Sequence, residues 1–123
     1  PYYHFSKDFS RDGGNYASGC IIFSKYKIIA SGKCKFAGTN PESIIYADIV
    51  VPTGDTVRVH TTHLQSFKFS ERDYVDIEKI KMTDEASMQA SKGILLKMKL
   101  AFQRRAAQAK LIRNVLDTCP YKH

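Results

Sequence analysis

A histidine near the end of a predicted strand is the side chain of this sequence best placed to do chemistry. Residues 57–62 are rich in β-branched side chains, which favour a strand, and the sequence Pro-Thr-Gly-Asp at 52–55 predicts a hairpin turn before it. The pattern becomes polar after Leu64, so His63 is expected where the strand gives way to a loop. A histidine there can donate a hydrogen bond to a phosphate oxygen or transfer a proton near neutral pH. The alternative is a histidine that only packs at the edge of a sheet.

Three earlier stretches predict the other strands of the sheet that carries this histidine. Strands are predicted at 16–24, 28–36 and 44–51, a turn at 38–41, and a loop or loose hairpin at 1–15. The continuous apolar run at 20–23 favours a strand that is buried on both faces. Asp48 could be a metal ligand or a charge partner, although a half-exposed strand position is the simpler interpretation.

Strand periodicity limits what the two neighbouring histidines can do together. His63 shares one strand face with Val57, Val59 and Thr61, whereas His60 lies on the opposite face. The two imidazoles therefore point to different sides, and they are a poor pair of ligands for one metal ion.

The second half of the chain predicts helices. Residues 65–90 are interpreted as a polar connection with short helices, one starting with a capping box of Ser70 and Asp73 and a second near 83–85. Phe67 and Phe69 could line a substrate mouth, or they pack in a core. A longer helix is predicted to lie across the sheet and to end near Pro120. Its apolar residues recur at steps of three and four: Leu95, Met98, Phe102, Ala106, Ala109, Ile112 and Leu116.

The net charge of +7 is concentrated in this helix. Residues 92–116 contain no acidic side chain, and their basic side chains are Lys92, Lys97, Lys99, Arg104, Arg105, Lys110 and Arg113. This pattern is typical of a solvated helix face, or of an electrostatic surface for a polyanion such as nucleic acid.

The cysteines and the hydropathy of the sequence are relevant to the cellular compartment in which the protein is located. Cys20, Cys34 and Cys119 cannot all pair within the chain, and none has a partner at the spacing of metal ligands. The sequence contains no run of about 18 apolar residues and no signal-peptide pattern. Reduced cysteines suggest the cytoplasm, and the location of the full-length protein stays open.

Three segments resemble, in the same order along the chain, motifs of the endonuclease/exonuclease/phosphatase family, whose members include DNase I-like nucleases. The segment at 60–66, His-Thr-Thr-His-Leu-Gln-Ser, is similar to the family's Thr-His-Leu strand end. The segment at 19–26, Gly-Cys-Ile-Ile-Phe-Ser-Lys-Tyr, resembles its Gly-x-Ala-Ile-Leu-Ser-Arg/Lys-Tyr-Pro strand, with Lys27 in place of the proline. Arg-Ala-Ala-Gln-Ala at 105–109 is similar to its Arg-x-x-Gln-Ala helix.

The resemblance implies the central part of a DNase I-like four-layer α/β sandwich, with mostly antiparallel strands followed by a long helix. The family's domain is about twice as long as this chain, so residues 1–123 are expected to be a partial domain. The segments that carry the family's metal-binding Glu, its Gly-Asp-Phe-Asn-Asp strand end and its terminal Ser-Asp-His would lie outside the chain. Many members place an arginine before the strand that begins here near Ile44, where this sequence has Glu42 and Ser43.

The resemblance also assigns roles to residues. His63 would be catalytic, and Ser24 and Lys25 would bind substrate. Arg105 and Gln108 are i and i+3 neighbours on the predicted helix, so they are expected to brace one loop or carbonyl group as structural residues that support the site. The cofactor would be Mg²⁺, with no metal ligand in this chain. The expected function is that of a metal-dependent phosphoesterase, a nuclease-like hydrolase that directs water at a phosphoryl group.

Two further expectations concern activity and partners. Residues 1–123 alone are expected to be inactive, and their partners would be the missing parts of the domain and a phosphate-ester substrate, with nucleic acid among the candidates. An incomplete sandwich would also expose a sheet face and self-associate. The alternative function is a catalytically inactive basic module that binds nucleic acid or another polyanion.

Overall fold

The described part of the chain has two blocks of secondary structure, first the strands and then the α-helices. The computed structural model describes residues 1–37, 42–80 and 85–121, apart from the side chains at 79, 85–87 and 90. Within them the chain is a mixed α/β structure, which confirms the predicted class at this coarse level. Its elements are β1 (Tyr2–Arg11), β2 (Tyr16–Ser24), β3 (Ile28–Lys35), β4 (Ser43–Val50), β5 (Thr56–Thr62), α1 (Glu71–Ile80) and α2 (Glu85–Asp117). The turn predicted at 38–41 and the helix start predicted at Thr83 and Asp84 lie outside the described residues.

The first sheet is a long antiparallel hairpin of β1 and β2. Its loop, Asp12–Gly14, has positive φ at all three positions, which Asp and Gly tolerate better than other residues. Two interpretations were given for residues 1–15, a loop and a loose hairpin. The hairpin is confirmed, because Tyr2–Arg11 is a strand paired with β2, and the loop is wrong. At Gly19 the strands approach so closely that a Cβ would collide with the Ser6 carbonyl oxygen.

The second sheet is antiparallel with the order β3, β4, β5. The predicted turn between β4 and β5 is present, since the Gly54 amide donates to the Val51 carbonyl at 2.9 Å and Gly54 has φ 90°. One face of this sheet packs on the hairpin through Ile45, Ala47 and Ile49, which meet Cys20 and Ile22.

The prediction that β2 is buried on both faces is wrong. Cys20 and Ile22 are buried, but Ile21 is 42% exposed and Phe23 is 73% exposed. The outward residues of β1, Tyr3 and Phe5, are exposed beside them. An apolar run identified the strand correctly, but the run alone does not say how many layers cover it.

The opposite face of the three-stranded sheet carries a buried ion pair. Asp48 is only 2% exposed, so its interpretation as a half-exposed position is wrong, and the charge-partner alternative is correct. Arg58, its neighbour on β5, donates two hydrogen bonds to the carboxylate at 2.6 and 2.8 Å, and the Tyr121 hydroxyl donates a third at 3.1 Å. Arg58 also lies 4.0 Å from the ring centroid of Tyr46.

The chain divides into two compact units, Pro1–Leu64 with Gln108–His123, and Gln65–Ala107. In the second unit, the predicted capping box is confirmed: the Asp73 carboxylate accepts from the Ser70 amide at 2.6 Å, and the Ser70 hydroxyl accepts from the Asp73 amide at 3.4 Å. The Lys97 ammonium, 2.5 Å from Asp73, is the main cause that lowers the pKa of this carboxyl to about 2. Phe67 stacks on Phe69 and meets the edge of Phe102, as in a packed aromatic cluster.

Helix α2 ends at Asp117, close to the predicted end, but its buried face was predicted only in part. Met98, Ile112 and Leu116 of the predicted face are half-buried, whereas Leu95, Phe102, Ala106 and Ala109 are exposed. The other buried or half-buried side chains from residue 94 onward are Ile94, Ala101, Arg105, Gln108, Leu111 and Val115. Because Arg105 and Gln108 are polar, the hydrophobic pattern does not identify them as buried.

Candidate functional site

His63 lies where the sequence predicted it, directly after the last residue of β5. Its side chain is exposed, whereas its backbone lies near Cys20 on β2, where it lowers the pKa of that thiol. The end of β5 therefore lies beside the hairpin, while the imidazole is accessible to a ligand. This is the position that a phosphate-binding or proton-transferring histidine requires.

The imidazole borders a cavity of about 400 Å³. The hairpin supplies most of the wall, Glu42 and His63 supply the opposite side, and the complete lining is Asp8, Phe9, Arg11, Tyr16, Ser18, Gly19, Cys20, Glu42 and His63. The cavity exists because the hairpin is longer than the sheet it packs on. Cys20 lies beside the end of β5. Residues 16–19 of β2 and their partners on β1 therefore extend beyond that end of the three-stranded sheet.

A bulge in β1 turns Asp8 toward this end of the sheets. The pairing register of β1 with β2 shifts between Lys7 and Phe9, which leaves Asp8 outside the regular ladder. Its carboxylate lies 2.5 Å from the Lys33 ammonium and accepts a hydrogen bond from the Ser43 hydroxyl at 2.6 Å. The Thr62 hydroxyl donates to the Ser43 carbonyl at 2.8 Å. These contacts join β1, β3, β4 and β5 immediately beneath His63.

No sequence motif pointed to this network. Asp8, Lys33 and Ser43 are separated along the chain, and only the register of three strands brings them together.

The Cys20 thiol is unsuited to act as a nucleophile. Burial raises its pKa, and the neighbouring Asp8 charge raises it further, while the His63 amide and Lys33 act in the opposite direction. A thiol with a raised pKa stays protonated at neutral pH, and the thiolate is the reactive form. Cys20 is therefore a packing residue of the cavity wall.

Glu42 contributes an unusual acceptor. Its Oε2 atom is buried at the cavity and has no hydrogen-bond partner among the described residues. A buried polar atom without a partner costs about 1–3 kcal/mol, so such atoms are uncommon in folded proteins.

Ser24 and Lys25 are not brought together with His63. They lie at the far end of β2, beside Pro1 and Phe23, where they border a separate cavity. The Ser24 hydroxyl accepts a hydrogen bond from the Tyr26 amide at 3.0 Å, and Lys25 is exposed. Neither side chain lines the His63 cavity.

Arg105 and Gln108 lie on α2 in different environments. The guanidinium carbon of Arg105 is 5.6 Å from the ring centroid of Phe67, and Arg105 is half-buried. Gln108 is 6% exposed. Both side chains are at least half-buried, and their supporting role stays a prediction.

The described residues do not fit the Mg²⁺ that the resemblance implies. Among them, no group of three or more His, Cys, Asp or Glu side chains could hold a metal ion. Mg²⁺ needs an octahedral set of oxygen ligands, and of the two carboxylates at the cavity, Asp8 is already paired with Lys33. No step of the chemistry is therefore assigned to a metal held by these residues.

No family model, curated protein or solved structure matches the chain. Within the described ranges, no helix has the length and apolar character needed to cross a bilayer.

Proposed function

We propose that the chain is the central part of a metal-dependent phosphoesterase domain like those of the endonuclease/exonuclease/phosphatase family, with His63 as its phosphate-binding histidine. The observation that carries the proposal is the exposed His63 side chain, held at the end of β5 on the border of a cavity of about 400 Å³. The resemblance of residues 60–66 to the family's motif is the reason for proposing this family, and the cavity has room for a ligand.

We further propose that the two packed sheets are the inner layers of a DNase I-like four-layer sandwich. The packing of Cys20 and Ile22 on Ile45, Ala47 and Ile49 supports this arrangement. An outer layer over the hairpin would cover the exposed ring of Phe23.

The role of His63 follows from its hydrogen-bonding groups. An imidazole N–H donates to a non-bridging phosphoryl oxygen and stabilises the charge that grows there as water attacks phosphorus. Arg11 of the hairpin also lines the cavity and presents a guanidinium there, although its Nε lies 3.7 Å from the Asp12 carboxylate. The Mg²⁺ ligands belong, in this proposal, to parts of the domain outside residues 1–123, and residues 1–123 alone are inactive.

Hydrolysis of a phosphodiester such as bis(p-nitrophenyl) phosphate tests the proposal. It should be measured with the whole gene product that contains residues 1–123, with Mg²⁺ and with EDTA. We expect His63→Ala to lower kcat by about 10²-fold or more, which is the usual contribution of a positioned acid or base. Lys27→Ala, an exposed change outside the cavity, should leave the rate unchanged.

Two results would contradict this function. One is metal-dependent turnover that His63→Ala leaves intact. The other is turnover by residues 1–123 alone that His63→Ala abolishes, because it would mean that the described residues are sufficient for catalysis.

The second candidate function is a basic module without catalysis. Lys92, Lys99, Arg104 and Lys110 are exposed on α2, whereas Lys97 is paired with Asp73 and Arg113 with Asp117. The pairing leaves less free positive charge than the sequence suggested. Polyanion binding that weakens with salt and falls in Arg104→Gln with Lys110→Gln, without turnover under any metal, would favour this function.

A further inference from the structure

The part of the hairpin that extends past β5 carries an aromatic wall. Phe9, Arg11 and Tyr16 all line the His63 cavity. Arg11 is the cross-strand partner of Tyr16, and Phe9 is the partner of Ser18. The alternation of β2 places Tyr16 and Ser18 on the same face as Cys20, which explains why these side chains converge on one cavity.

The two rings and the guanidinium form a contacting group. The Phe9 and Tyr16 centroids are 6.4 Å apart in an edge-to-face arrangement, and the guanidinium carbon of Arg11 lies 4.4 Å from the Tyr16 centroid. Both rings are nevertheless 43–46% exposed, so this packing leaves much of their surface open. Exposed aromatic and arginine surfaces that line a cavity are suited to stack on a flat ligand ring.

Glu42 also lines this cavity and brings a carboxylate, which accepts hydrogen bonds, to its wall. A ligand that pairs with this carboxylate must present an N–H or O–H group. The cavity thus combines three different features: an imidazole donor at His63, a flat aromatic wall with Arg11, and an acidic side chain at Glu42. A cavity of about 400 Å³ lies within the range that holds small ligands.

We propose that this cavity binds a nucleotide phosphoester, with the phosphate at His63, the base stacked on the wall of Phe9, Arg11 and Tyr16, and a base amino group or sugar hydroxyl donating to Glu42. The inference rests on the proposed function, because it takes His63 as the phosphate contact. It narrows the substrate class, since an inositol ring has no π face to stack. A choline headgroup is disfavoured because its cation would meet the positive charge of Arg11 on the same ring.

The test compares three ligands that share a phosphate and differ in what is attached to it. Binding of adenosine 5′-monophosphate, ribose 5-phosphate and phosphocholine to residues 1–123 is measured by NMR titration at one pH and ionic strength. We expect the adenine nucleotide to bind at least about fivefold more tightly than ribose 5-phosphate, which is the lower range for stacking of one base on an aromatic side chain. Equal affinity, or tighter binding of phosphocholine, would overturn the inference.

Variants test whether the preference for the adenine nucleotide depends on the rings of Phe9 and Tyr16. Tyr16→Leu and Phe9→Leu remove the rings but keep apolar bulk, and they should reduce the preference for the adenine nucleotide while leaving ribose 5-phosphate binding unchanged. Tyr3→Leu is the matched control, because Tyr3 is 69% exposed on the outer face of the same hairpin, away from the cavity. An equal loss of preference in Tyr3→Leu would overturn the assignment.

His63→Ala separates this inference from the proposed function. If His63→Ala weakens the binding of both adenosine 5′-monophosphate and ribose 5-phosphate, and the two ligands bind with equal affinity, the phosphate role of His63 stands and the base site fails. If His63→Ala changes neither affinity but Tyr16→Leu removes the preference for the nucleotide, the base site stands and the phosphate role fails.

Discussion

At the scale of single residues, position rather than residue type distinguishes His63 from His60. The two histidines are three residues apart, but β5 alternates, so His60 is half-buried next to the ring of Tyr46 while His63 lies exposed after the strand. The His60 Nε2 atom is buried and has no partner among the described residues. His60 is therefore a structural residue, and only His63 can reach a ligand.

His60 makes the stability of the fold depend on pH. Burial is the main cause that lowers its pKa below the ordinary 6.5, and the charge of Arg58 adds to it. The unfolded chain therefore binds the proton more readily than the folded chain, and the free energy of unfolding should fall as the pH drops through and below about 6.5. Urea unfolding at pH 7.5 and pH 5 should show a smaller decrease for His60→Gln than for the wild type. An equal decrease would contradict this account.

The buried Asp48 should be essential to the stability of the three-stranded sheet. Asp48→Ala leaves the Arg58 guanidinium without its partner, and breaking such a pair typically costs about 3–5 kcal/mol in the free energy of unfolding. Arg58 holds the pKa of Asp48 below its usual range, so the same stability should be lost in the wild type at strongly acidic pH.

A double variant checks this explanation for Asp48. Asp48→Ala with Arg58→Met removes both charges, and it should be more stable than Asp48→Ala alone. Denaturant unfolding of the three proteins at pH 7 gives the comparison. A double variant that is less stable than the single one would show that the packing of Arg58 on Tyr46 and Tyr121, rather than the ion pair, dominates.

At the scale of elements, glycines at two positions should respond in opposite directions to the same substitution. Gly19→Ala forces a Cβ into the Ser6 carbonyl of the paired strand, which should destabilise the hairpin by about 1–3 kcal/mol. Gly93 lies exposed within α2 with open space around it, so Gly93→Ala should stabilise the protein by about 1 kcal/mol through helix propensity. Thermal unfolding measures both, and a destabilising Gly93→Ala would contradict the packing described for α2.

The extent of the strands could be predicted from the sequence, but their environment could not. The bounds of β2, β3 and β4 agree with prediction to within one residue at each end, because β-branched and apolar residues mark them locally. The burial of Phe23 was predicted incorrectly and the buried face of α2 only in part, since both depend on which other elements cover a face. Arg105 and Gln108 show the limit clearly: two polar residues lie on the buried side of a helix.

The candidate site was predictable only in part. His63 is marked by a local change from strand to polar loop, so its location followed from neighbouring residues. The rest of the cavity depends on the bulge at Asp8 and on the pairing of Arg11 with Tyr16, which are long-range properties of register. The resemblance placed Ser24 and Lys25 near the phosphate-binding site. In the structure they lie at the end of β2 that is far from His63, where they border a separate cavity.

At the scale of the whole molecule, the hairpin presents an apolar outer face. Tyr3, Phe5, Ile21 and Phe23 lie side by side on it, and each is at least 42% exposed. Such a patch favours association, so residues 1–123 should form dimers or larger species as their concentration rises. Tyr3→Lys with Phe23→Lys should shift the weight-average mass in sedimentation equilibrium toward 13.9 kDa. A wild-type chain that stays monomeric at high concentration would contradict this prediction.

The central claim is that His63 holds a phosphoryl group at the end of β5, and one titration tests it most directly. The histidine ring signals of residues 1–123 are followed by NMR as inorganic phosphate replaces chloride at constant pH and ionic strength. We predict a saturable shift of the His63 ring, with little change for His60, which is half-buried beside Tyr46. A His63 signal that stays unchanged, or that moves only as much as that of His60, would contradict the claim.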